Sequence, residues 1–231
     1  MPAVLTPARR EGAEILDSGE VDPRVVERSM SDVARANSLF GGTSALLAEL
    51  EPALRLLPPT ATLLDVGTGL GDIPARASRR ARTLGVDLRT IGLDLAPELA
   101  AASARKVDAA VCADALRLPF ADASVDVVTC SQVLHHFPGA RGIDLLREMN
   151  RVARARVVVS DLRRSWPAAG GLWVASFPLG FHPISRHDGV ASVLRGFTPA
   201  ELAQLVRDAV GASPRVNRRF AFRVTTSWTP P

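Results

Sequence analysis

Tyrosine is missing from all 231 residues, lysine occurs once, as Lys106, and cysteine twice, as Cys112 and Cys130. Two isolated cysteines in segments that read as strands cannot staple a secreted scaffold, so a reduced, cytoplasmic setting is expected. Neither belongs to a cluster with metal-ligand spacing, and no metal is expected. Lys106 stands away from any glycine turn, which excludes the Gly-Lys-Ser/Thr of a phosphate-binding loop. No apolar run is long enough to span a bilayer, and Met1 to Arg10 is interrupted by proline where a secretion signal needs a continuous apolar stretch. The pI of 10.2 reflects arginine without tyrosine more than excess charge, because the formal net charge is only +4. The densest basic run, Arg76, Arg79, Arg80 and Arg82, falls on one predicted helix and reads as a solvated face. No nucleic-acid partner is therefore expected.

What the chain does have is an apolar strand running into a glycine turn, Leu63-Leu64-Asp65-Val66-Gly67-Thr68-Gly69-Leu70-Gly71-Asp72. Leu63, Leu64 and Val66 suit a buried parallel strand, and the glycines permit positive φ and close approach of a ligand to the backbone. A helix starting near Asp72 would turn its free N–H groups toward the same spot and favour a carboxylate or phosphate there. The dinucleotide pattern G-x-G-x-x-G, counted from Gly67, requires a third glycine where this chain has Asp72. Further acids follow at strand ends. Thr90-Ile91-Gly92-Leu93-Asp94 reads as a second strand, and its carboxylate, 23 residues after Gly71, is placed to accept from both hydroxyls of a ribose. A third strand, about Ala109 to Cys112, ends at Asp114-Ala115. A fourth, Val125 to Cys130, leads into Ser131-Gln132-Val133-Leu134-His135-His136-Phe137.

The glycine segment resembles motif I of the class I S-adenosylmethionine-dependent methyltransferases, in which an acid stands two residues before the first glycine. The resemblance covers roughly residues 61 to 161 and points to the small-molecule group called type 11, the ubiquinone/menaquinone methyltransferase-like enzymes. It implies S-adenosylmethionine as cofactor and S-adenosylhomocysteine as product. The cofactor-binding residues it implies are Asp65, Gly67, Thr68, Gly69, Asp94, Leu95, Asp114, Ala115 and Ser131, with Asp114 where the family places an acid that meets the adenine amino group. Amino-directed DNA methyltransferases carry Asn/Asp-Pro-Pro-aromatic after the fourth strand, where this chain has Cys130-Ser131-Gln132-Val133. Thr129-Cys130 likewise lacks the Pro-Cys of cytosine-C5 enzymes. The Cys-x-x-x-Cys-x-x-Cys signature of radical enzymes is missing too, so polar methyl transfer is expected.

Composition is that of one globular α/β domain, 47% hydrophobic and 23% charged. Helices are expected at about Asp22 to Ala34, Gly42 to Leu57, Asp72 to Leu84, Pro97 to Arg105 and Arg141 to Ala153, with a fifth strand at Arg156 to Ser160. Thr198-Pro199-Ala200-Glu201 starts another helix with a capping box. Pro214 to Trp228 reads as extended, Phe220, Phe222 and Val224 alternating against Ala221 and Arg223. Alternating strands and helices predict an α/β, doubly wound, mainly parallel sheet. The resemblance makes it seven-stranded, with residues 1–58 as an N-terminal helical cap, 59–161 as the cofactor core and 162–231 as a lid insert plus final strands.

The acceptor is expected to be a small, aromatic or apolar molecule. Met30, Val33, Leu39, Phe40, Leu46 and Leu47 are candidates to cover the carboxyl ends of the strands. Leu162 to Gly196, rich in glycine and proline, reads as an irregular lid bearing Trp166, Trp173, Phe177 and Phe181. Arg163 and Arg164 read as solvated. His135 is the expected proton acceptor, because Val133 to Phe137 resembles the Leu-His-Asp-Trp stretch of plant phenolic O-methyltransferases, with His136 replacing their acid. His187 is the second candidate, and Asp161 could orient either one. Arg195-Gly196-Phe197-Thr198-Pro199 resembles the tail of bacterial methyltransferases of polyketide or phenolic-lipid pathways. These resemblances imply O-methylation of a phenolic or polyketide hydroxyl, with C-methylation of a quinone-like ring and a non-catalytic cofactor-binding regulator as alternatives.

Overall fold

The computed structural model describes residues 5–12, 14–18 and 21–231. Residues 1–4, 13, 19 and 20 of the expected N-terminal helical cap lie outside them. Seven strands form one sheet in the order β3-β2-β1-β4-β5-β7-β6. Strands β1 (Thr60–Val66), β2 (Asp87–Asp94), β3 (Ala109–Cys112), β4 (Val125–Ser131) and β5 (Ala153–Leu162) pair in parallel. β7 (Arg223–Trp228) runs antiparallel to β5, and β6 (Val216–Arg219) antiparallel to β7.

Side-chain alternation along β1 explains the layering. Leu63 packs with Ala77, Leu88, Val127 and Val158 on one face, under helices α2 (Gly42–Leu54) and α3 (Asp72–Arg82). Leu64 and Val66 face the other way, onto Leu145, Leu146 and Met149 of α5 (Ala140–Val152) and Leu202 and Val206 of α8 (Pro199–Val210). Burial on both faces is what a parallel sheet requires, and every residue of β4 is buried. Leu64→Ala would remove about 2–5 kcal/mol of stability. Chain order reverses direction across the sheet between β1 and β4, which opens a crevice at their carboxyl ends.

α4 (Pro97–Ser103) joins β2 to β3, and α1 (Pro23–Leu39) precedes α2. Leu46 and Leu47 belong to the core beneath α2 instead of covering the strand ends, and Leu39 is exposed. The lid segment is not irregular. It forms α6 (Trp166–Ser176) and α7 (Pro183–Arg195), each entered through proline in its first turn, with the Ser165 hydroxyl accepting from the Ala168 N–H. Gly170 and Gly171 are tolerated inside α6 because neither has a neighbour to lose. Phe220 does not alternate inward: it sits in the β6–β7 turn, 81% exposed. Arg164 is not solvated either, since it is buried against Glu201 at 2.6 Å. The capping box of α8 forms between Thr198 and Glu201. Among the described residues no helix is long and apolar enough to cross a membrane.

Candidate active site

The glycine turn, the acids at the strand ends and helices α1, α6 and α7 line a cavity of about 460 Å³. Gly67 takes φ +68°, and a Cβ there would lie 2.4 Å from Val133 Cγ2, so no other residue fits without moving the segment after β4. Gly69, φ +55°, has no atom within 4 Å of where its Cβ would stand and offers bare backbone to a ligand. Its N–H donates to Asp94 Oδ2 at 2.9 Å, and the Ala96 N–H to Asp94 Oδ1 at 3.1 Å. Burial raises the Asp94 carboxyl above its ordinary range. Gly67, Thr68, Gly69, Asp94, Leu95, Asp114, Ala115 and Ser131 all line the cavity. The Ser131 hydroxyl is buried with no hydrogen-bond partner among the described residues, which suits a polar ligand at that point.

Asp65 is placed differently from the expectation of direct contact. It is buried beneath the turn and does not line the cavity; Thr129 Oγ1 donates to it at 2.7 Å and Thr68 Oγ1 at 3.0 Å. Burial lifts its pKa to about 6 against these hydroxyls, and the nearby Asp94 charge adds to the rise. Asp65 thus positions Thr68 and the turn.

The opposite part of the cavity holds a charged cluster. His135 is the middle residue of a 3-10 turn, Leu134–His136, after β4, and its Nδ1 lies 2.7 Å from Oδ1 of Asp161 near the end of β5. Its Nε2 is 3.6 Å from Glu14 Oε1, and His136 Nε2 is 3.9 Å from the same oxygen. Burial alone would lower the His135 pKa, but the Asp161 and Glu14 carboxylates outweigh it and raise it to about 9. Asp161 is correspondingly held below the usual carboxylate range, its burial being outweighed by the His135 charge. Glu14, His135 and His136 could offer three atoms to a metal ion within 4.8 Å of one another. Ser192 Oγ at 2.7 Å and Arg195 Nη1 at 3.2 Å already donate to Glu14 Oε1, so the cluster reads as an ion-pair network.

His187 is not part of this arrangement. Its side chain is 60% exposed, it hydrogen-bonds Asp188, and it does not line the cavity. The apolar wall comes from Met30, Val33, Leu162, Leu172 and Phe181. Trp166, Trp173 and Phe177 lie on the outside of α6 and its C-terminal end, about half exposed; α6 turns Leu172 to the cavity and buries Ala169 and Ser176. Glu14, Asp188 and Arg223 also line the cavity and were not legible as site residues. Glu14 and Arg223 lie at the two ends of the chain, and no local pattern marks either. Asp188, beside His187, accepts from the Ile15 and Leu16 N–H groups, each at 3.0 Å.

A family model described as a methyltransferase domain matches residues 64–159. A demethylmenaquinone methyltransferase of Deinococcus radiodurans is 32% identical over 187 residues, 72% of this chain and 73% of that protein. The chain belongs to the class I S-adenosylmethionine-dependent methyltransferases. A ubiquinone biosynthesis O-methyltransferase of Idiomarina loihiensis is 32% identical over 147 residues, 62% of this chain and 58% of that protein. Among solved structures, a SAM-dependent methyltransferase from Aquifex aeolicus shares the fold with a TM-score of 0.60 and 17% identity, covering 92% of this chain and 100% of that one. The enzyme uses S-adenosylmethionine, and the open Gly69 backbone and orphaned Ser131 hydroxyl fit it.

Proposed function

We propose that this methyltransferase carries the methyl group of S-adenosylmethionine to a hydroxyl of a phenolic or polyketide acceptor. The observation behind the reading is the buried His135–Asp161 pair in the wall of a cavity with a large apolar lining. The sulfonium is already a strong electrophile. The chain therefore has to align acceptor oxygen, methyl carbon and sulfur, exclude water, and dispose of the hydroxyl proton. Gly67, Thr68, Gly69, Asp94, Leu95, Asp114, Ala115 and Ser131 would hold the cofactor, Asp65 acting from beneath. Met30, Val33, Leu162, Leu172 and Phe181 would cover the acceptor.

Asp161 fixes the proton of His135 on Nδ1 and leaves Nε2 to receive the acceptor's proton. A phenol resembles the tyrosine side chain, with a pKa of about 10, and His135 titrates at about 9, so the transfer is nearly level. Neutral histidine facing phenol and imidazolium facing phenolate hold the same number of protons, and both give the same pH dependence. Two free thiols fit a cytoplasmic setting.

The test is a panel of phenols and polyketide-like enols with methyl-labelled cofactor, the product read by NMR. A methyl ether is the expected product. A methylated ring carbon would move the assignment to the alternative, C-methylation of a quinone-like ring, which the Deinococcus relative's name suggests for that protein.

A further inference from the structure

Three arginines are buried among the described residues: Arg164, Arg195 and Arg223. Two of them face carboxylates. Arg164 meets Glu201 at 2.6 Å, and Arg195 meets Glu14 at 3.2 Å. Arg223, 4% exposed, has no carboxylate within 4 Å among the described residues. Its Nε donates to the Phe40 carbonyl at 3.3 Å and its Nη1 to Gln132 Oε1 at 2.9 Å, both neutral acceptors. Nη2 has no protein acceptor there, and the side chain lines the cavity. A guanidinium buried on neutral hydrogen-bond partners, with only the charge of Asp161 acting on it from beyond hydrogen-bond reach, is unfavourable unless a further anion meets it.

We propose that Arg223 anchors a carboxylate of the acceptor, so that the cavity selects phenolic or enolic acids over neutral phenols. The proposal rests on the reading that this half of the cavity takes the acceptor. Strand order places it there. The turn after β1 and the acids at β2 and β3 lie on one side of β4, whereas Arg223 begins β7, beyond β5, opposite Leu162 and one residue from the Asp161–Val224 pair. The other acids around the cavity are already engaged by donors. Asp161 accepts from His135 and the Leu162 N–H, and Asp32 from the His182 N–H and Ser185. They leave Arg223 as the buried cation with an unfilled donor. Burial has brought its pKa down to about 10, and an anion at Nη2 would relieve that strain. A carboxylate there would lie on the same side of β4 as His135, which suits a ring bearing an acid at one end and the methylated hydroxyl at the other.

The experiment titrates 3,4-dihydroxybenzoate and catechol, which differ by the carboxylate, into protein saturated with S-adenosylhomocysteine. The acid is expected to bind at least about tenfold tighter, the range of one charge-assisted contact. Arg223→Gln should abolish that preference, and Arg223→Lys should keep part of it. S-Adenosylhomocysteine affinity should change by less than about twofold, with thermal melts confirming that both variants fold. Equal affinity for the two probes, no binding of the acid, or a preference that survives Arg223→Gln would overturn the proposal. A tenfold loss of S-adenosylhomocysteine affinity in Arg223→Gln would also overturn it, by assigning the guanidinium to the cofactor's own carboxylate. Failure of the wild-type protein to bind S-adenosylhomocysteine would instead count against the placement of the cofactor residues, so the two failures are distinguishable.

Discussion

His135 and Asp161 are joined twice: ring Nδ1 to Oδ1 at 2.7 Å, and the His135 backbone N–H to Oδ2 at 3.2 Å. The double contact fixes both the rotation of the imidazole and the place of the turn that carries it. Asp161→Asn should therefore lower kcat by about 100-fold or more, as should His135→Ala, because each removes the oriented proton acceptor. S-Adenosylhomocysteine affinity by calorimetry should stay within a few-fold. Unchanged turnover in His135→Ala would remove that residue from the chemistry.

The pH profile carries a second prediction. With His135 titrating at about 9, kcat/KM should climb about tenfold per pH unit through neutrality and level off near that value. Glu14 helps to raise the pKa, so Glu14→Gln should shift the profile toward lower pH and speed the reaction at pH 7. The same proton affects stability. The folded pKa lies above the ordinary 6.5, so the ion pairs stabilise fully below pH 6.5, and that contribution is lost as pH rises through about 9. A stability curve flat across this interval would contradict the assignment.

Asp65 gives the same sign in a lower pH window. Its folded pKa of about 6 exceeds the ordinary 3.8, so the native state binds more protons between those values and stability falls as pH rises across them. The difference amounts to roughly 3 kcal/mol. Asp65→Asn should raise Tm at pH 8 by several degrees, while loosening Thr68 and weakening S-adenosylhomocysteine binding. Denaturation at pH 4 and pH 8 would show whether the gain is confined to the higher pH.

Two glycines should answer oppositely to alanine. Gly67→Ala forces a Cβ to 2.4 Å from Val133 at φ +68°, and should abolish cofactor binding and destabilise by about 2 kcal/mol or more. Gly170→Ala, mid-helix and open on all sides, should stabilise by about 0.5–1 kcal/mol. Chemical denaturation of the two variants separates a glycine that the turn needs from one that it does not.

The cofactor half was readable because each part is a contiguous strand followed by a turn, and period-two alternation with glycine and aspartate marks it locally. The half proposed to take the acceptor is assembled from positions far apart in the chain. Glu14 meets His135, Asp188 holds the N–H groups of residues 15 and 16, and Arg223 reaches Gln132 and Phe40. No spacing rule reports such meetings. The sequence of α6 reads as irregular because Gly170, Gly171 and the nearby prolines break helices in isolation, whereas the Ser165 cap and packing on α7 hold this one. A lid bearing aromatic residues does not say which side of an apolar helix faces the cavity, and of the four aromatics only Phe181 lines it.

The strand order of the sheet separates two kinds of tolerance to change. On the proposed placement of the cofactor, substitutions around β1, β2 and β3 touch the part common to every turnover. On the placement proposed for Arg223, a substitution at residue 223 bears on which acceptor is taken for methylation. A chain built this way can drift toward a new acceptor through distant single substitutions while its hold on the methyl donor stays intact.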